Sequence, residues 1–137
     1  MTKVEKLRAE YNKNGTENLQ YLYDELEGEI SAMYPSQPTK PRLSPTHTPE
    51  EVMVYAEQLM AYESEIKEYK AKKEEYQQEK NSLSGEMMEI IKEDVGFNTT
   101  VPSHKQDRVW RYIVENADYS FYSISATADE ILSTFYD

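Results

Sequence analysis

From Pro49 to Val95 the chain repeats apolar residues at alternating intervals of three and four, and no other feature constrains the fold as strongly. The series is Val52, Tyr55, Leu59, Tyr62, Ile66, Tyr69, then Tyr76, Leu83, Met87 and Ile90. Such spacing keeps one stripe on one face of an α-helix, as in the seam of a coiled coil. With Val52 at heptad position a, the four tyrosines 55, 62, 69 and 76 all fall at d. Thr48, Pro49 and Glu51 supply the N-cap, first-turn proline and third-position acid of a helix start, and Gly96 offers a stop. A helix over 49–95 would run roughly 70 Å at about 1.5 Å per residue. Its weak point is Asn81-Ser82-Leu83-Ser84-Gly85, poor helix formers where a kink or a break is expected.

What precedes the seam cannot continue it. Five of the six prolines fall at 35, 38, 41, 45 and 49, and proline removes a helix donor and biases its predecessor toward extended backbone. Residues 35–48 therefore read as a linker, able at about 3.1 Å per residue to run back along a neighbouring helix. Pro35, Pro38 and Lys40 also form a short PxxPx-basic pattern, which a stiff spacer explains equally well. Upstream, residues 1–34 read as two helices. Thr2 and Glu5 make a capping box ahead of Val4, Leu7 and Tyr11, and Asn14-Gly15 ends that helix. Thr16 then caps a second, with Leu19, Leu22, Leu26, Ile30 and Met33 on one face.

Downstream, residues 96–104 read as a loop and 105–117 as a helix around Val109, Trp110, Ile113 and Val114. The alternation Tyr119 to Ser125 suggests a turn or short extended piece. Thr127 and Glu130 box a last helix over 127–136, with Ile131, Leu132 and Phe135 as apolar positions. Trp110, Ile113, Ile131 and Phe135 are expected in the core. The expected fold is all-α: an elongated helical bundle around the heptad helix, with an N-terminal helix pair and a short C-terminal helical hairpin. It would form one domain, as a length of 137 residues allows.

Lys73 and Lys80 interrupt the seam at a positions, where lysine specifies register or opposes pairing. Two uses of the seam follow. Helix 17–34 covers its first half and the C-terminal helices its second, or a second copy pairs with it through Tyr69, Lys73, Tyr76 and Lys80.

Charge is segregated. Residues 17–34 carry five acids and no base, and residues 49–66 carry another five and no base, against a total of −11 for the chain. If these helices pack together, one lobe is strongly acidic and would steer toward a basic surface, or sit in a groove meant for a phosphate backbone. Glu25, Glu29, Glu57 and Glu63 would supply the charge, and Tyr21, Tyr23 and Tyr62 the contact area. The same charge argues against direct nucleic-acid binding, which needs concentrated lysine and arginine.

Chemistry finds little purchase. There is no cysteine, so disulfides, thiolate ligands and thiol catalysis are excluded. The two histidines, His47 and His104, have no companions at metal-ligand spacing, and four scattered glycines build no phosphate-binding loop. Ser103, His104 and Asp107 are too local for a triad. The C-terminal helix–turn–helix outline opens its last helix with Ala128, Asp129, Glu130, which repels phosphate. No enzyme, metal or cofactor is expected. The start, MTKVEKLRAE, has no apolar stretch of the secretory kind, and no segment is apolar enough to cross a membrane, so a cytoplasmic protein is expected. A small, acidic, coiled, cysteine-free chain resembles accessory proteins of phages and mobile elements, a likeness of composition from which no residue's role follows. The expected function is binding of a basic, possibly nucleic-acid-handling protein, as a module or inhibitor, with nucleic-acid mimicry as one form. The alternative is an assembly protein that oligomerises through its seam.

Overall fold

The computed structural model describes residues 1–136, and all regular structure among them is helical. Six α-helices follow in order: α1 Lys3–Asn14, α2 Leu19–Ala32, α3 Pro49–Asp94, α4 Phe97–Thr100, α5 Gln106–Glu115 and α6 Phe121–Tyr136, with a 3-10 turn at Ser103–Lys105 before α5. The chain divides into two compact units. The first comprises residues 1–28 and the described residues from 80 onward; the second comprises residues 29–79. Thus α2 and α3 each contribute to both.

Local signals account for both ends of α1 and the start of α3. The Thr2 hydroxyl accepts from the Glu5 amide at 3.1 Å, and the Gly15 amide, at φ +66, closes α1 onto the Tyr11 carbonyl at 2.8 Å. At the start of α3 the Thr48 hydroxyl accepts from the Glu51 amide at 3.3 Å. Each such cap is worth about 1 kcal/mol. The helix α3 continues for 46 residues, straight through Gly85, so the expected weak point neither breaks nor ends it. Three other boundaries differ from expectation. α2 begins at Leu19, three residues beyond Thr16. Residues 97–105 form α4 and a 3-10 turn instead of a loop. Most clearly, of Tyr119–Ser125 only the first two residues form a bend, and the rest belong to α6, which starts at Phe121. The Ser120 hydroxyl accepts from the Ser123 amide at 3.1 Å and its carbonyl from the Ile124 amide at 3.0 Å, so Ser120 caps the helix and Thr127 lies inside it.

The core belongs to the first unit. Leu7, Leu19, Tyr23 and Leu26 are buried there with Leu83, Met87, Ile90 and Ile91 of α3. Phe97, Val101, Ile113, Phe121, Ile124, Ala128 and Leu132 complete it. Polar ties lock these elements. Arg8 of α1 reaches Glu86 of α3 at 2.5 Å and also bonds Glu93. The Gln20 side-chain oxygen accepts from the Phe121 amide, satisfying a free donor at the start of α6. Tyr119 hydroxyl lies 2.8 Å from that of Tyr23 and 2.7 Å from that of Ser84. Lys92 sits 5.0 Å from the centroid of the Trp110 ring, which meets Phe97 edge-on at 5.3 Å. Trp110 and Ile131 are half-buried, and Phe135 is 69% exposed, so the expected core position at 135 is instead surface.

The second unit is thinner. Among its residues only Ile30 is fully buried, and the seam of α3 from Tyr55 to Tyr76 is at best half-buried. What lies along that seam is the proline segment, not a helix. Pro35 and Pro38 share a groove of about 600 Å3 with Tyr69 and Lys72. Thr39 and Pro41 flank Ala61 and Tyr62, and Leu43 and Ser44 flank Val54 and Tyr55. The segment therefore runs antiparallel to α3. It takes the ground on the first half of the seam that was expected for helix 17–34. An extended, proline-stiffened strand loses little entropy on being laid down, and it covers one side of a helix too exposed to hold a second layer.

Candidate interaction surfaces

The acidic and aromatic residues singled out in the sequence are divided between the two units. Glu25 and Tyr21 lie in the first unit, whereas Glu29, Glu57, Glu63 and Tyr62 lie in the second. All four glutamates are exposed, with no ion pair among the described residues. Tyr21 is 77% exposed and free to make contact. Tyr23 is a core residue at 4% exposure and contributes no outer area. Its phenol is pushed well above the ordinary tyrosine range, first by burial, then by the hydrogen bond to Tyr119 and the neighbouring charges. Tyr62 is half-buried beside the proline segment.

Of the residues named for self-association, Tyr69, Lys73 and Tyr76 lie in the second unit. Tyr34 meets Tyr76 edge-on at 5.0 Å. A hydrogen bond between Tyr34 and Tyr69 raises the pKa of the Tyr69 phenol. Lys73 is exposed, with its ammonium 5.9 Å from the Tyr69 ring centroid, so it escapes burial by reaching over an aromatic face. Lys80 is exposed as well and falls in the first unit.

Two surfaces emerge that the sequence reading missed. One is a stripe on α3 off the seam, at heptad position b. Met53 and Met60 are 68% and 70% exposed, two turns apart on one face. Glu50 and Glu57 flank them on one side and Glu63 on the other, all exposed. Methionine at seven-residue spacing outside the a and d positions was the available signal. The other surface is a groove of about 430 Å3 between α5 and α6, lined by Lys105, Arg108, Val109, Tyr112, Ile131 and Phe135 among others. Tyr112 is 52% and Phe135 69% exposed. Neither Lys105 nor Arg108 has a carboxylate partner among the described residues. The groove was hidden from sequence reasoning by the assignment of Ile131 and Phe135 to the core.

Among the described residues no group of histidines and acids is placed to hold a metal ion, and no helix is long and apolar enough to cross a membrane. No protein-family model matches the chain, and no curated protein or solved structure proves similar to it.

Proposed function

We propose that this chain is a non-catalytic protein-binding module that acts through the acidic, methionine-bearing face of α3 on a basic protein surface. The observation that carries the reading is the stripe Glu50, Met53, Glu57, Met60, Glu63. A solvated acidic face has no use for two large exposed apolar side chains in its centre, whereas a binding face does. Methionine supplies adaptable apolar contact, and the glutamates steer a cationic partner and fix its register. A surface built for phosphate is one such partner, so inhibition of a nucleic-acid-handling protein by mimicry falls within the reading. Tyr21 and Glu25 of the first unit offer a smaller second contact of the same character.

The test is titration of the intact chain with a lysine-rich amphipathic helical peptide. Binding should weaken at least about tenfold as ionic strength rises from about 0.05 to 0.3 M, because screening shortens the reach of exposed charges. Glu57→Lys and Met60→Asp should each weaken it further. Binding indifferent to both salt and these substitutions would end the proposal. The stripe is favoured over assembly through the seam because Tyr34 already meets Tyr76 edge-on and Pro35 and Pro38 line one groove with Tyr69.

A further inference from the structure

Four of the exposed large apolar side chains fall in two charged patches. Met53 and Met60 stand among glutamates on α3, and Tyr112 and Phe135 stand beside Lys105 and Arg108 on the α5/α6 groove. The two patches carry opposite charge, and in neither is the charge paired within the chain among the described residues. Their spacing also agrees. Arg108, Val109 and Tyr112 share one face of α5, and Lys105 stands just ahead of it at the end of the 3-10 turn, so the groove wall runs from 105 to 112. Glu50, Met53, Glu57 and Met60 advance by three, four and three along a facing helix, so each face spans about 10–15 Å at 1.5 Å per residue.

We infer that the α5/α6 groove of one copy receives the α3 stripe of a second copy. Met53 and Met60 would seat against Tyr112 and Phe135, a thioether–aromatic contact favoured over packing on an aliphatic wall. Glu50 and Glu57 would meet Lys105 and Arg108. A nucleic-acid strand is disfavoured in the same groove. It offers only two cations, too few to hold a run of phosphates. The inference rests on the proposed binding role of the α3 stripe and names a partner for it. A head-to-tail contact of this kind is heterologous, since the two copies use different surfaces. It also masks the acidic stripe, so self-association and capture of a foreign basic partner exclude each other and each weakens the other by mass action.

The experiment is sedimentation of the intact chain across roughly a hundredfold range of concentration through the micromolar regime of weak contacts. The wild type should gain mass with concentration. A groove variant, Lys105→Glu with Arg108→Glu, and a stripe variant, Glu50→Lys with Glu57→Lys, should each lose association by at least about tenfold, the effect of some 1.4 kcal/mol. Mixed in equal amounts the two should associate again, because the reversed groove now faces a reversed stripe. Rescue on mixing also shows that both variants fold. The inference is overturned by a wild type that is monomeric throughout, by association that ignores the reversals, or by a mixture no better than its components. It is equally overturned if the reversals alter the compactness of a monomer, which would place the contact within one chain. Continued salt-sensitive binding of the lysine-rich peptide in any of these cases leaves the broader reading standing and removes only the second copy.

Discussion

Replacing Gly85 with alanine should make the protein more stable. Gly85 lies in the interior of α3, two residues from the buried Leu83 and Met87, yet is itself exposed. A Cβ added there meets nothing within 4 Å, and Gly85 is not among the positive-φ glycines. The substitution therefore costs no packing, and it removes the backbone entropy that glycine loses in a helix, about 1 kcal/mol relative to alanine. For a chain of this size that corresponds to a rise in Tm of roughly 3–5 °C. Urea unfolding followed by far-UV circular dichroism gives the helix, and fluorescence of Trp110, the single tryptophan, reports the first unit. Gly96→Ala is the opposing control. Gly96 holds φ +71, where a side chain costs about 1–2 kcal/mol, so that variant should be less stable. If Gly85→Ala is neutral or destabilising while Gly96→Ala behaves as stated, α3 is not a continuous helix through residue 85 in solution, and the reasoning fails.

Amide exchange along α3 should be graded. Residues 80–94, which bear its buried side chains, should approach global protection, and residues 49–79 should exchange faster by at least an order of magnitude; uniform protection would contradict the division of the core. Ile90→Ala should cost about 2–4 kcal/mol in unfolding free energy, and Ile66→Ala clearly less, because Ile66 is only half-buried. Equal losses at the two positions would mean that the second unit packs around Ile66 as tightly as the first packs around Ile90. Tyr23 should confer alkaline sensitivity. Its folded pKa is raised, so the folded state keeps a proton that the unfolded chain releases near pH 10. Its contribution is intact below that value and falls away as pH climbs further. Tyr23→Phe should flatten the stability profile above pH 10, and an unchanged slope would assign the effect elsewhere.

Several elements could be read directly from residue order because their causes are local. Thr2, Gly15 and Thr48 act within one helical turn, and the prolines at 35, 38, 41 and 45 forbid a helix wherever the rest of the chain goes. The heptad run likewise announced α3. Where sequence reasoning went astray, the deciding partner was remote. At Tyr119–Ser125 the alternation of aromatic and polar residues looked like period two, yet Phe121, Ile124, Ala128 and Leu132 follow helical spacing and bury one face. Gln20, a hundred residues away in sequence, supports that helix start. Tyr23 looked like a rim residue because a phenol usually keeps its hydroxyl wet, but its ring is buried and Tyr119 meets its hydroxyl at 2.8 Å. The covering of the seam by prolines depended on where the chain turned after Tyr34, which no local signal specifies. Of the candidate binding residues, Glu57 and Glu63 stand on the stripe now proposed. Its methionines were signalled only by their seven-residue spacing off the seam, and the basic groove was legible only once the exposure of its residues was known.

The stripe on α3 carries one further consequence, in oxidation chemistry. A chain with no cysteine has thioethers as its only sulfur. Met53 and Met60 hold theirs in solvent, whereas Met87 is wholly enclosed in the core. Oxidants convert exposed methionine to its polar sulfoxide, and reductases reverse the change. Peroxide will therefore reach the apolar centre of the proposed binding face well before it reaches Met87. The fold can stay intact while its grip on a partner is lost, and repair of two side chains restores it.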